Sequence, residues 1–371
     1  MDLNKKFEQV EDPEDKPPSQ LEKFDDWHWQ MRNRIRKVSN LNFPPSKEMI
    51  QAEEKFPMAI TPYYASLVKR WDSTDPIFAM SIPQANELLD SSFLSSDPLS
   101  EGHDMPVPNL VHRYKDRALL ITTDVCGMFC RFCTRKRVAG QTHGSVITPI
   151  QLEVVIQYLK EHSEIHDVII SGGDPLTMST NTLDYILTAV RSVPSVDIIR
   201  IGTRVPVTMP MRITEELTEM LKKHHPVWIN THFNHPVEIT PEAKKACEVL
   251  VNAGIPLGNQ TVLLKGINDD PMVIEELCRG LIRMRVRPYY LFQCDLVKGV
   301  EHFRTPLKKG IEIMEHLRGR LSGIAIPNFV VDAPNGGGKI ELLPNYIVSM
   351  NEKETILRNF EGKLVSYPEP I

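Results

Sequence analysis

The chain has 371 residues, 41% of them hydrophobic, with 43 Lys and Arg against 48 Asp and Glu and a formal net charge of −5. Such a length buries a full core and suggests two or three domains, although a barrel can run longer as one. The charge balance offers no field to gather nucleic acid or an anionic membrane surface, and no apolar run approaches the ~18 residues of a membrane span.

Residues 1–26 are dominated by Asp, Glu, Lys and Pro and read as a disordered acidic tail without the apolar core of a signal peptide. From Trp27, the segments WHWQMRNRI, 57–69 and IPQANELL read as helices, giving a helical N-terminal region over 27–110 that ends in the Pro-broken linker HDMPVPNLVHRY. Strand-like runs at 118–123, 167–171, 198–203, 227–232, 257–264 and 287–293 then alternate with amphipathic helices, the pattern of a parallel sheet with crossover helices. Thr148-Pro149 with Gln151 forms a capping box ahead of Leu152, Val155, Ile156 and Leu159, and Thr240-Pro241 and Asp270-Pro271 repeat the start signal. Six right-handed units predict an α/β fold, a partial (β/α)6 barrel over 111–325, with the active site at the C-terminal ends of the strands. Residues 326–371 hold the glycine-rich APNGGGK, then YIVSM, ETILRNF and KLVSY, predicted as a short antiparallel β extension.

Three of the six cysteines, Cys126, Cys130 and Cys133, follow the first strand at Cys-x3-Cys-x2-Cys spacing. Three thiolates on one tight loop suit a four-iron four-sulfur cluster with one iron left open for a substrate. The alternatives are a structural zinc knot, for which His112 and His143 lie off the usual spacing, and three small buried hydrophobes. Cys247, Cys278 and Cys294 are scattered without a disulfide framework, which fits a reducing, cytoplasmic compartment. Lys339 follows three glycines and suits a phosphate grip or an imine, or simply a solvated loop. The phosphate-loop order is not met, because Ile340 follows the lysine.

The cysteine spacing, with Phe132 before the last cysteine, closely resembles the loop of the radical S-adenosylmethionine superfamily. More specifically, HRYKDRALL, CGMFCRFCTRKR, SGGDPL, RIGTRVPV, NTHFNHP, LGNQTVLL, RPYYLFQCD, EHFRTP, VVDAPNGGGK and ILRNFEG match, in order, segments of the lysine 2,3-aminomutase family. The resemblance implies a radical-SAM barrel in which Cys126, Cys130 and Cys133 hold the cluster, whose free iron chelates S-adenosylmethionine. Gly172, Gly173 and Asp174 lie in the segment SGGDPL, whose glycines permit the backbone to approach and bond the methionyl amino group, while His232 and Gln260 match positions facing the adenosyl ribose; satisfied core polar groups are the alternative for the last two. By the same resemblance Lys339 carries pyridoxal 5′-phosphate, and Arg113, Tyr114 and Arg117 hold its phosphate. Arg135 matches the arginine that pairs with the substrate α-carboxylate, while Asp295 and Asp332 match the pair that clamps the distal ammonium of lysine. The implied reaction interconverts L-lysine and β-lysine by amino migration, with a flavodoxin- or ferredoxin-type reductant and a homo-oligomer, dimer ahead of tetramer. Arginine, less readily glutamate, competes with lysine as the substrate. A homologue supplying β-lysine to a translation factor and a non-catalytic zinc- or cluster-bound scaffold compete with the aminomutase reading itself.

Two departures stand out. The chain ends soon after ILRNFEG, and Asp270 stands where some family members place a zinc cysteine, so no zinc is expected. Asn335 replaces a family glycine, and asparagine tolerates positive φ better than most residues.

Overall fold

A computed structural model of the chain describes residues 24–139 and 144–370; most of the tail expected over 1–26, and His143, lie outside the described residues. The N-terminal region contains helices α1 (Trp27–Arg32), α2 (Lys47–Lys55), α3 (Pro62–Ser66) and α4 (Pro76–Ser81) and a 3-10 turn over Ala85–Leu88. Its helices are short and capped: Asp26, Ser46, Thr61 and Asp75 each accept a hydrogen bond from an amide of the first turn. Helix α2 was not expected, since its charged sequence KEMIQAEEK buries only Ala52.

Two strands follow, β1 (Leu110–Tyr114) and β2 (Arg117–Thr123), paired antiparallel with Tyr114 opposite Arg117. Then come α5 (Pro149–Glu161), β3 (Asp167–Gly172), α6 (Thr180–Arg191), β4 (Ile198–Gly202), the single turn α7 (Val205–Thr208), α8 (Glu215–Lys222), β5 (Val227–Thr231) and α9 (Pro241–Asn252). The series continues with β6 (Leu257–Leu263), α10 (Pro271–Arg283), β7 (Val286–Gln293), α11 (Leu307–Leu317), β8 (Asn328–Ala333) and β9 (Gly338–Glu341). The six expected strands are β2 to β7, and the capping box at Thr148 and Gln151 starts α5 with Leu152, Val155, Ile156 and Leu159 buried. Asp270 caps α10 by accepting from the Met272 amide at 2.8 Å.

The sheet exceeds the expected six strands. It runs β1 to β9 in sequence order, with β2 to β8 parallel and antiparallel strands at both edges. β1 was concealed in a Pro-rich linker, and β8 between Pro327 and Pro334, where turn signals obscured strands of 5 and 6 residues. The barrel sheet therefore extends past residue 325 into the glycine-rich segment. Asn335, Gly336 and Gly338 all take positive φ in the turn between β8 and β9, which is the conformation asparagine and glycine accept most readily. Lys339 consequently lies in a strand rather than a loop, opposite Asp332 in register. The two sheet edges meet through a side chain, because the Lys339 amide donates to the Tyr114 hydroxyl at 2.8 Å.

Strands β10 (Ile347–Met350), β11 (Glu354–Arg358) and β12 (Leu364–Pro368) form the separate antiparallel sheet expected from the sequence. A single apolar core joins the N-terminal helices to the barrel, and a smaller one lies between β7, β8, α10 and α11. Among the described residues no helix is long and apolar enough to cross a membrane.

The loop after β2 is held from outside the barrel by a buried ion cluster. Arg131 donates to both oxygens of Glu87 at 2.9 and 2.7 Å and to the carbonyls of Pro57 and Phe56, and Lys136 reaches Glu87 at 3.0 Å. Glu87 is wholly buried and Arg131 nearly so. Removing one partner of such a pair strands an uncompensated charge at a cost of about 3–5 kcal/mol. Glu87→Ala should therefore lower the thermal unfolding midpoint markedly, whereas Glu219→Ala, which breaks an exposed pair with Lys222, should leave it nearly unchanged. Equal midpoints for the two variants in calorimetry would contradict this.

Candidate active site

Cys126, Cys130 and Cys133 are free thiols in the turn that follows β2. The N-terminal helices supply the loop's backbone partners: the Phe129 and Arg131 amides donate to Ala59 and Met80, and Arg34 donates to the Cys126 carbonyl at 2.6 Å. Burial pushes the Cys133 thiol up to about 11, with the Cys130 sulfur adding to the effect. Burial also raises Cys126, with Asp174 and the other two sulfurs contributing. Cys126 and Cys133 are both raised by neighbouring sulfurs, and a ligand that takes thiolates relieves that repulsion. The arrangement fits a cluster. Arg204 donates to the Cys130 sulfur at 2.9 Å, supplying positive charge where thiolate charge would reside.

The Gly172-Gly173-Asp174 segment braces this loop. A Cβ on Gly172 would lie 2.3 Å from the Thr123 carbonyl, and one on Gly173 2.3 Å from that of Val125. The Gly173 and Asp174 amides donate to those same carbonyls. The close approach these glycines permit is thus to the cysteine loop. Asp174 is buried, which raises its carboxyl, and it accepts from Thr203 Oγ1 at 2.6 Å and the Arg204 amide at 2.7 Å. His232, beyond β5, is held near a pKa of about 3 by burial and by Arg204, so its ring is neutral. Its inaccessible Nε2 has no hydrogen-bond partner among the described residues, and its ring packs 5.7 Å from that of Phe132 in the cysteine loop. Gln260 is half-buried on β6, opposite Tyr290.

Lys339 lies across the sheet edge. Its Nζ donates to Asp332 at 2.8 and 3.0 Å and sits 5.0 Å from the Phe292 ring centroid. Asp295, just past β7, accepts from Thr134 Oγ1 at 2.5 Å, and Thr134 is the residue after Cys133. Burial raises Asp295 to about 6; the Thr134 bond opposes the shift, Asp332 adds to it and Lys339 opposes it. Lys339 is thus bonded to Asp332, and Asp295, which feels both charges, is bonded to Thr134 in the cysteine loop. Arg113, Tyr114 and Arg117 gather at the glycine turn before Lys339. A Cβ on Gly336 would lie 3.6 Å from Arg113 Nε, and the Arg117 guanidinium stacks 4.0 Å over the Tyr114 ring. A strand lysine whose backbone amide bonds Tyr114, with Arg113 at the glycine turn and Arg117 stacked on that tyrosine, fits an aldehyde that bears a phosphate.

Several residues at this site were not singled out from the sequence. Arg204 bonds Cys130, the His232 carbonyl, Glu238 and Tyr64, and its position just past β4 was the available signal. Arg135 is held by Glu101 through Nε and Nη2 at 2.6 to 3.0 Å and donates to Ser171 at 3.2 Å. Glu101 sits in a loop of the N-terminal region that offers no sequence signal.

The fold and the thiol loop define a class, the radical S-adenosylmethionine proteins, and the family model of that superfamily matches residues 120–277. Membership implies the four-iron four-sulfur cluster and S-adenosylmethionine. A second model, described as lysine-2,3-aminomutase, matches residues 314–371. The chain is 50% identical to L-lysine 2,3-aminomutase of Clostridium subterminale, over all of this chain and 88% of that one. It is 52% identical to the L-lysine 2,3-aminomutase of Acetoanaerobium sticklandii over 94% of this chain and 86% of that one. Identity to a glutamate 2,3-aminomutase of Clostridioides difficile is 47% over 93% and 82% of the two chains. The chain belongs to the lysine 2,3-aminomutase family.

Gly173→Ala should displace the cysteine loop and leave reconstituted protein with far less iron than wild type, whereas Gly323→Ala, whose Cβ meets nothing within 4 Å, should load normally. Iron analysis after anaerobic reconstitution decides it, and full loading of Gly173→Ala would refute the bracing role.

Proposed function

We propose that the chain is a pyridoxal 5′-phosphate-dependent radical enzyme that interconverts L-lysine and β-lysine by moving the α-amino group to the neighbouring carbon. The observation that carries this reading is that the Lys339 amine and its partner Asp332 lie within electrostatic reach of Asp295, which is bonded to the residue beside Cys133. When bound, the cluster with S-adenosylmethionine supplies a carbon radical, and pyridoxal phosphate supplies the aldehyde that carries the migrating nitrogen. In this reading Lys339 is the residue that anchors the aldehyde, and Arg113, Tyr114 and Arg117 hold the phosphate. Gly172, Gly173 and Asp174 keep the cluster loop against the nucleoside, with neutral His232 and Gln260 facing it. Arg135 receives the substrate carboxylate. Asp295 and Asp332 receive the distal ammonium.

The acidic pair supports lysine over glutamate. Two carboxylates in a sheltered site repel a side-chain carboxylate and favour an ammonium, because a buried charge without a partner is costly. Asp332 already holds the Lys339 amine, while Asp295 has only a hydroxyl, so the pair has capacity for one further cation. The reading includes a small one-electron donor of the flavodoxin or ferredoxin type, a cytoplasmic location and a homo-oligomer, dimer in preference to tetramer. Exposed Ile347, Val348, Met350, Leu364, Val365 and Tyr367 on the C-terminal sheet support a contact between copies. The division at residues 27–110, 111–325 and 326–371 is retained in function, as helical brace, cluster barrel and lysine-bearing segment, although the barrel sheet itself runs through β9.

Reduced, reconstituted protein with both organic cofactors should convert L-lysine to β-lysine, and conversion of glutamate or arginine without lysine would overturn the substrate assignment. Lys339→Ala should abolish turnover of every substrate. Asp332→Asn should raise KM for lysine by about 10- to 100-fold with a smaller loss in kcat. A carboxyl raised to about 6 is neutral below that pH, so the lysine KM should climb as pH falls through about 6. Asp295→Asn should remove this limb, and an unaltered profile in that variant would assign the titration elsewhere.

A further inference from the structure

We propose that Glu101 is a positioning residue for recognition of the substrate α-carboxylate, one that fixes the guanidinium of Arg135 edge-on so that its remaining N–H groups face the site. The proposal rests on the reading of Arg135 given above and deepens it. Arg135 has five N–H donors in a rigid fork. Glu101 accepts from Nε at 2.9 and 3.0 Å and from Nη2 at 2.6 Å, and Ser171 Oγ accepts from Nη1 at 3.2 Å. One edge of the fork is thereby filled. Among the described residues a donor on each of Nη1 and Nη2 is left without a partner, and two donors are what a bidentate carboxylate takes.

Glu101 is built to stay where it is. It is 5% exposed, and its amide donates to Asp97 Oδ1 at 3.1 Å. The loop around it is fixed by the Asp104 amide donating to Ser100 and the His112 amide donating to Asp104. A second cation, Arg137, lies 3.5 Å from the Glu101 carboxylate and 3.2 Å from that of Asp97. Burial pushes the Glu101 carboxyl up, but Arg135 and Arg137 outweigh it and hold the group below the usual carboxylate range, ionised, with Asp97 opposing them. Swinging it away would leave a buried carboxylate without its main partner. Glu101 is therefore a fixed brace rather than a displaceable surrogate for the substrate carboxylate. The two roles predict opposite signs, since loss of a brace weakens carboxylate binding and loss of a competitor strengthens it.

The test measures calorimetric binding of L-lysine and L-lysinamide to the fully loaded, anaerobic protein, which needs no turnover. Wild type should prefer lysine. Glu101→Gln should raise the lysine Kd by about tenfold or more while leaving the lysinamide Kd within about twofold, and Glu101→Asp should fall between. Tighter lysine binding by Glu101→Gln, an equal change for both ligands, or no change would each overturn the proposal. Should Glu101→Gln not fold, Glu101→Asp carries the test through its lysine-to-lysinamide ratio, and a wild-type ratio there overturns it. Arg135→Gln separates the underlying reading. If that variant keeps the wild-type ratio, the Arg135 assignment itself fails; if it loses the ratio while the Glu101 variants keep it, only the brace is wrong.

Discussion

A loop that presents three thiols to one ligand has to be held still by something other than the ligand, and here a carboxylate from outside the barrel does it. Glu87 lies at zero exposure between Arg131 and Lys136, and Arg131 also ties two carbonyls of the N-terminal region. Burial lowers Lys136 to about 8, an effect Glu87 opposes. Three charges in a dry site are worthwhile only where fixed geometry matters more than stability, because well-packed apolar residues would usually serve stability as well. From the barrel side the loop is pinned by Gly173 and Asp174, whose amides reach its carbonyls. The cysteine loop is thus clamped between two regions of the chain distant in sequence.

The same economy appears at Arg204, where one guanidinium joins β4, the Cys130 sulfur, the His232 carbonyl and Glu238. Its charge adds to burial in keeping His232 neutral. Positive charge is placed beside the sulfurs, and negative charge at Asp295 and Asp332, on the Lys339 side.

Much of this was legible in the sequence because the informative residues are local. The thiol spacing, the Thr-Pro and Asp-Pro helix starts and the six apolar runs each depend on neighbours within a few positions, and each element stands where its pattern puts it. β1 and β8 were not legible: LVHRY and NFVVDA are short, flanked by prolines, and become strands only because a longer neighbouring strand offers its edge. The glycines of SGGDPL were legible as a site of close approach but not as to what approaches, since Thr123 and Val125 are some fifty residues away. Glu101 and Glu87 left no trace at all. Glu101 sits in a loop and Glu87 in a 3-10 turn, and for each the partner is fixed only by the fold.

The spacing of Asp332 and Lys339 ties these levels together. Seven residues apart, they face each other because the turn at Asn335, Gly336 and Gly338 returns β9 antiparallel to β8 in a register that opposes the two. Tyr114 then takes the Lys339 amide from the other sheet edge, so the lysine is held by its backbone from one side of the barrel seam and by its amine from the other. Asp332 is satisfied by that amine, and Asp295 carries the imbalance, its carboxyl raised from 3.8 to about 6. A raised carboxyl means the folded state binds the proton more tightly than the unfolded chain, so its contribution to stability falls as pH climbs from about 4 to about 6. At neutral pH the fold therefore tolerates an under-compensated carboxylate in a sheltered position. Such a charge is unfavourable until a cation arrives.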